Sequence, residues 1–314
     1  MKQGSFRTAT RAGGFTLIEM MVVFFIIGIL LAILIPGMRE ARDQAKGLLC
    51  KTNLYSIGEG VHLYAEENRD YFCSGSVDPE VSNGRDGPID EVGWIADLIN
   101  HRLVEPDNLI CPTNVATHNQ KLLDHGGEDD YSVKEALDLI ARGYDSNYTQ
   151  SWYMARTQWD PSRARRSRSA YNLKRLDTTV GPLHRTRMAL VPAASIPLLG
   201  DGRSDPDEVF RDERCVKTLT DGPYEGTYGL QNYADFGPAH GFASRIFAKG
   251  HERIRANVLF ADGHVDVFQD NDRDGEFGID ITVYPYEQRD IDPTKVFDGV
   301  IGLGRRSRDV WKSR

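Results

Sequence analysis

The sequence predicts an α+β architecture. A long N-terminal helix packs on an antiparallel β-sheet head that carries loop-rich insertions. Three observations predict it. Residues 15–35 form an apolar run interrupted by a single charge. Apolar residues then recur at alternating steps of three and four over residues 47–64. Residues 257–268 read strand, Asp-Gly turn, strand.

The first element is long enough to cross a bilayer, for which about 20 apolar residues suffice. It follows a short leader carrying Lys2, Arg7 and Arg11 and no acid. One carboxylate, Glu19, sits near its start. On insertion scales an ionised side chain at the membrane centre costs about 2.5–3.5 kcal/mol, so such a residue has a partner or a purpose. A cleaved secretory signal fits poorly, because its apolar region would contain Glu19 and no small-x-small site follows Ile35. A plain anchor explains the length and leaves Glu19 unexplained. A buried core helix is disfavoured by the near-absence of polar positions.

The stretch Gly13-Gly14-Phe15-Thr16-Leu17-Ile18-Glu19-Met20-Met21-Val22-Val23, with Pro36 following 21 residues after Phe15, resembles the N-terminus of type IV prepilins and type II secretion pseudopilins. The resemblance implies that a prepilin peptidase cuts between Gly14 and Phe15 on the cytoplasmic side and methylates the new amine. The basic leader fits retention of that end in the cytoplasm. The resemblance further implies that Glu19 pairs with the Phe15 ammonium of a neighbouring subunit. In a low-dielectric layer each charge would relieve the other's desolvation. A subunit alone in the membrane would lack that partner. Loss of the leader would take the formal charge from −8 to −11. Such an acidic balance argues against general nucleic-acid binding.

The helix is expected to continue past Pro36, with Pro36 and Gly37 bending or locally melting it. Gly47, Cys50, Leu54, Ile57, Val61 and Tyr64 mark one apolar face, and Lys51, Asn53, Glu59 and Glu66 take the others. The stripe ends near Glu67-Asn68-Arg69-Asp70. The chain thus divides into a leader (1–14), a membrane segment (15–35), an amphipathic stalk helix (36–70), a globular head (71–304) and a basic tail (305–314).

Within the head, residues 75–190 are rich in turn signals such as Ser82-Asn83-Gly84-Arg85-Asp86-Gly87-Pro88. Short helices are expected around 94–101 and 132–142. The Arg163, Arg165, Arg166 and Arg168 stretch reads as a solvated loop. Residues 196–199 form a short apolar strand. Residues 257–260 and 265–268 form a hairpin around Ala261-Asp262-Gly263-His264, and residues 281–286 are a candidate edge strand weakened by Pro285.

Four cysteines, Cys50, Cys73, Cys111 and Cys215, form no CxxC pair and no zinc spacing with histidine. They admit three disulfide pairings or four free thiols. The segments 50–68 and Leu109-Ile110-Cys111-Pro112 resemble large pilin-like proteins of planctomycete-type bacteria with an H-x9-DG C-terminal region. That resemblance implies a Cys50–Cys111 bridge, leaving Cys73 with Cys215. The corresponding motif here is His251 with Asp262-Gly263, but ten residues intervene instead of nine. A catalytic use of His251, Asp262, His264 and Asp201 is weighed against turn chemistry, which the Asp-Gly pair favours.

Asp270-Asn271-Asp272-Arg273-Asp274-Gly275-Glu276 spaces oxygen ligands as a Ca²⁺ loop does. Asp270, Asp272 and Asp274 would supply carboxylates and Glu276 a carbonyl. The twelfth position is Ile281 where an EF-hand has Glu, and Asp280 is the substitute. These readings combine into a non-enzymatic subunit. It would span the inner membrane once, hold its head in the periplasm, and join other pilin or pseudopilin subunits in a pilus or secretion pseudopilus. The alternatives are a membrane-tethered, extracytoplasmic, calcium-dependent binding module, with Trp94, Trp152, Tyr153 and Trp159 as a ligand surface, and a tethered hydrolase using His251 and Asp262.

Overall fold

The computed structural model describes residues 16–75, 88–122, 131–156, 158–159, 179–206, 214–220, 222–223, 230–237, 239–240, 254–272, 275–279, 289–299 and 301. The chain divides into two compact units, Met1–Arg42 and Asp43–Arg314.

Helix α1, Leu17–Glu67, is assigned without interruption through Pro36 and Gly37, so the local melting expected there does not occur. In the first unit it exposes its apolar side chains all round. The stretch Leu17–Ile35 is long and apolar enough to cross a membrane. In the second unit it is amphipathic as read from the spacing. Cys50, Leu54, Ile57, Val61 and Ala65 are fully buried, while Leu48, Tyr55 and Leu63 point to solvent. The helix stops where Arg69 and Asp70 enter the left-handed region, at φ 57° and 64°. The Asp70 amide donates back to the Ala65 carbonyl at 2.8 Å, so the last turn closes with a six-residue hydrogen bond.

Three more helices follow: α2 (Trp94–Asn100), α3 (Val133–Ala141) and α4 (Trp152–Ala155). Helix α3 begins with a capping box, in which Ser132 accepts from the Glu135 amide and Glu135 accepts from the Ser132 amide. The strands are β1 (His118–Asn119), β2 (Tyr148–Gln150), β3 (Gln158–Trp159), β4 (Thr179–Val180), β5 (Pro197–Asp201) and β6 (Ser204–Pro206). After them come β7 (Arg214–Val216), β8 (Gly222–Pro223), β9 (Gln231–Asn232), β10 (Arg255–Phe260) and β11 (Val265–Gln269).

The main sheet is antiparallel throughout, in the order β11-β10-β5-β2. Strands β5 and β10 are its inner pair, and both are almost wholly buried. A second sheet orders β1-β7-β6 and pairs β1 with β7 in parallel. The stalk helix reaches the main sheet at a glycine: a Cβ on Gly58 would lie 2.7 Å from the Leu259 Cδ1 atom of β10. Gly60 plays the same part against Val104, at 2.5 Å. The missing side chains let the helix backbone sit close to the head.

The β10–β11 hairpin has the predicted position and turn. Gly263 adopts φ 93°, which an L side chain tolerates poorly, so Asp-Gly here is a backbone requirement. Trp94, Trp152 and Tyr153 are buried in the core, which removes them as an exposed ligand surface. The side chain of Trp159, the Arg163–168 stretch, the 281–286 segment and the basic tail lie outside the described residues.

Candidate functional site

Four places in the chain could carry function. The first is the start of α1. Gly14 and Phe15 lie outside the described residues, as does the side chain of Pro36. Glu19 in a lone subunit lacks the Phe15 ammonium of a neighbour. Instead its Oε2 accepts from the Thr16 amide at 2.8 Å and from the Thr16 hydroxyl at 2.7 Å. The Glu19 amide in turn donates to Thr16 Oγ1 at 3.4 Å. This Thr-x-x-Glu exchange satisfies helix-start donors that would otherwise be orphaned, and its spacing is legible in the sequence.

The second is the hairpin tip. Asp262 Oδ1 accepts from the His264 amide at 3.1 Å and contacts the His264 ring, which stacks on Phe260 with centroids 4.5 Å apart. The turn faces the stalk helix, where a Cβ on Gly263 would lie 3.5 Å from His62 Nε2. His251 lies outside the described residues. Asp201 is not part of this group; it sits toward the other end of β10, beside Asn257.

The third is the acidic loop. Asp270 and Asp272 converge with Asp290, one oxygen of each lying within 4.8 Å of the others. Asp290 was not foreseen, because it is 18 residues from Asp272 in sequence. Its carboxylate accepts from the Asn271 amide at 2.7 Å. Burial raises its pKa to about 6, with the neighbouring charges of Asp272 and Asp270 adding to the rise. Asp270 Oδ2 accepts from the Gly275 amide at 3.1 Å, closing the loop, and Gly275 has φ 93°. Glu276 turns its carboxylate to Arg203, 2.8 Å away. Asp274 and Asp280 lie outside the described residues. Three hard oxygen donors suit Ca²⁺, and backbone carbonyls and water commonly complete such sites.

The fourth is anticipated only in the approach of Cys50 to Cys111, which the resemblance implies as a bridge. Cys50 on α1, Cys111 after the turn at 106–109, Asp201 at the end of β5 and His240 come together inside the head, with one ligand atom of each within 4.8 Å of the rest. No disulfide joins any of the four cysteines in the structure. Cys50 and Cys111 share this cluster, Cys73 is buried near Asp97, and Cys215 lies on β7 opposite His118. Cys50 Sγ donates to Asp201 Oδ1 at 2.8 Å. His240 Nε2 lies 3.2 Å from Asp201 Oδ2 and 3.6 Å from Cys111 Sγ.

Electrostatics in this cluster follow from burial and proximity. Burial, together with Cys111 and Asp201, pushes the Cys50 thiol well above its ordinary range. A hydrogen bond from Cys50 outweighs burial at Cys111 and, with His240, brings it down to about 7. Burial opposes charge on His240, but Asp201 and Cys111 outweigh it and raise the ring to about 10. Spacing gives no hint of this group, because its members are separated by 61, 90 and 39 residues in order along the chain.

Residues 10–35 match the family described as "Prokaryotic N-terminal methylation motif". The chain is also similar to type II secretion system core protein G of Pseudomonas aeruginosa, at 41% identity over 58 residues. That alignment covers 18% of this chain and 41% of the relative, so the chain matches less than half of that protein's length. No solved structure matches the chain.

Proposed function

We propose that the chain is a pilin-like structural subunit. It is cut by a prepilin peptidase between Gly14 and Phe15, methylated on the new amine, held in the inner membrane by residues 15–35, and assembled with other pilin or pseudopilin subunits. The observation that carries this reading is the coincidence of the methylation motif at residues 10–35 with an exposed apolar helix whose only acidic residue is Glu19. The similarity to core protein G supports a place in a type II secretion pseudopilus, with a type IV pilus as the other fibre of this kind. The head would lie in the periplasm, or at the cell surface after assembly. A structural role needs no catalytic machinery.

On this reading assembly exchanges the partner of Glu19. The carboxylate leaves Thr16 of its own helix and meets the methylated ammonium of the next subunit's Phe15. Mass spectrometry of the mature polypeptide tests the proposal. A chain beginning at N-methyl-Phe15 supports it. A chain that keeps Met1 in the membrane of a host with an active prepilin peptidase, or one trimmed beyond Ile35, refutes it.

A calcium-dependent role for the head is a second reading, favoured by the convergence of Asp270, Asp272 and Asp290. Ca²⁺ there would neutralise carboxylates that otherwise repel, and so fix the segment after β11 to residues 289–291. Calorimetric titration of the full chain with Ca²⁺ checks it; no heat at millimolar Ca²⁺ ends it.

A further inference from the structure

We propose that Cys50, Cys111, Asp201 and His240 form a structural zinc site that ties the stalk helix to the sheet of the head. The donor set is two sulfurs, one imidazole nitrogen and one carboxylate oxygen. That is a tetrahedral set of the kind Zn²⁺ takes in closed structural sites. Zinc bonds are about 2.3 Å to sulfur and about 2.0–2.1 Å to nitrogen or oxygen, so at the tetrahedral angle its ligand atoms lie about 3.3–3.8 Å apart. The four ligand atoms already lie within 4.8 Å of one another, with contacts of 2.8, 3.2 and 3.6 Å among them, so shifts of up to about 1 Å close the site.

The surroundings fix each ligand through a neighbouring contact, as metal ligands are usually held. Thr113 Oγ1 engages His240 Nδ1 at 2.9 Å, so Nε2 faces the thiols, the carboxylate and the Asn257 side-chain amide, 2.7 Å away, which the metal would replace as its partner. Asp201 Oδ2 accepts from the Asn257 amide at 2.7 Å while Oδ1 faces Cys50. The Cys111 backbone is clamped by Asn147, whose side chain accepts from the Cys111 amide at 2.8 Å and donates to its carbonyl at 3.0 Å. Asn53 of α1 donates to the neighbouring Ile110 carbonyl at 3.0 Å. These clamps come from α1, β10, the residue before β2 and the loop after Cys111, so the ligands are placed by the fold itself.

Charge favours a cation. Asp201 is fully buried, and among the described residues no Lys or Arg pairs with it. Its hydrogen-bond partners are the Cys50 thiol and Asn257, with His240 alongside. A buried carboxylate beside two thiols is costly unless positive charge compensates it, as a protonated His240 can do while the metal is absent. Zinc takes over that charge and displaces the His240 Nε2 proton together with the two Sγ protons to solvent. A nucleophile–base–acid relay is excluded by geometry. In a relay the acid holds the ring nitrogen that faces away from the nucleophile, whereas Asp201 and Cys111 both face Nε2.

The test uses the full chain extracted from membranes in detergent, without chelator, and equilibrated with zinc sulfate before gel filtration. The expected result is one zinc per chain. X-ray absorption should show two sulfurs at about 2.3 Å and two lighter ligands at about 2.0–2.1 Å. Cys111→Ser and His240→Gln should each weaken zinc retention at least about tenfold, the lower bound for losing even a ligand's supporting contact. Cys73→Ser should leave it unchanged. Because the absorption spectrum is read on the unaltered protein, misfolding of a variant does not blunt the test. Zinc bound without sulfur, zinc absent after equilibration, or a Cys50–Cys111 disulfide in protein taken from its own membrane would each overturn the proposal.

Discussion

Ile57→Ala tests whether the second half of α1 belongs to the core of the head. Ile57 is fully buried on the face that also carries Leu54 and Val61. The substitution removes three side-chain carbons. At about 0.8 kcal/mol per buried methylene the transfer loss alone is roughly 2.4 kcal/mol. The cavity left behind adds to this, which puts the total at about 3 kcal/mol, within the usual 2–5 range for Ile→Ala. For a domain of this size each kcal/mol moves Tm by roughly 2–4 °C, so the head should melt about 6–12 °C lower. Leu48→Ala is the matched control, since Leu48 sits on the same helix but is 67% exposed. It should stay within about 0.5 kcal/mol of the parent, or roughly 2 °C. The assay is thermal unfolding of the full chain in detergent, followed through the fluorescence of buried Trp94 and Trp152. Equal shifts for the two variants, or a shift under about 2 °C for Ile57→Ala, would refute the packing of this face.

Glu19→Gln should insert into the membrane as the parent does, yet be recovered at lower yield in sheared fibres, because the neutral amide keeps the Thr16 contacts and loses the charge; normal incorporation would end that role. Gly263→Ala should cost about 1–2 kcal/mol from the left-handed backbone alone, read as a lower Tm with hairpin strands intact by circular dichroism. Asp97 is half-buried against Ser74, and its desolvation raises its pKa above the ordinary 3.8. A folded carboxyl with a raised pKa gives stability that is complete below 3.8 and is lost as pH rises through the folded value. The head should therefore lose stability over that window, and Asp97→Asn should flatten the profile; an unchanged slope in the variant argues against it. Calcium at 100 times its Kd should stabilise the head by about 2.7 kcal/mol, and Asp290→Asn should cancel the gain in Tm.

Most of the fold was legible because it rests on local patterns. The stripe of Cys50, Leu54, Ile57 and Val61 is a helical period, and burial follows it residue for residue. Asp262-Gly263 between two apolar runs is turn chemistry, and the strands pair around it. The short helix expected around 132–142 is present as Val133–Ala141. The helix continues past Pro36 as its apolar pattern implies, but without local melting, since a proline removes one hydrogen bond without having to open a turn. The sites were less legible because they join distant segments. Asp290 joins Asp270 and Asp272 of the acidic loop from beyond β11. His240 reaches Asp201 only because β5 lies beside β10 and His240 bridges to Arg255 at the start of that strand. No spacing rule encodes a pairing that the sheet order creates.

The Thr16–Glu19 exchange changes what assembly has to accomplish. A carboxylate with no partner in the bilayer would press the lone subunit toward any available cation. Here the helix start already supplies two donors to Glu19, an amide and a hydroxyl, both within 2.8 Å. These are neutral donors, and an ammonium adds to its hydrogen bond the attraction between two full charges, which is large in a low-dielectric layer. A methylated ammonium on Phe15 of a neighbour would therefore displace the Thr16 contacts, whereas a neutral or misplaced donor would not. The self-cap thus acts as a threshold that lets a subunit wait in the membrane and exchange partners only at a correctly cut neighbour. Thr16→Val removes the hydroxyl donor and keeps the amide, so it should lower that threshold. Subunits carrying it should associate with uncut precursor, detected by crosslinking in a peptidase-deficient strain, while Thr16→Ser should behave as the parent. Equal crosslinking of all three forms would show that the cap sets no threshold.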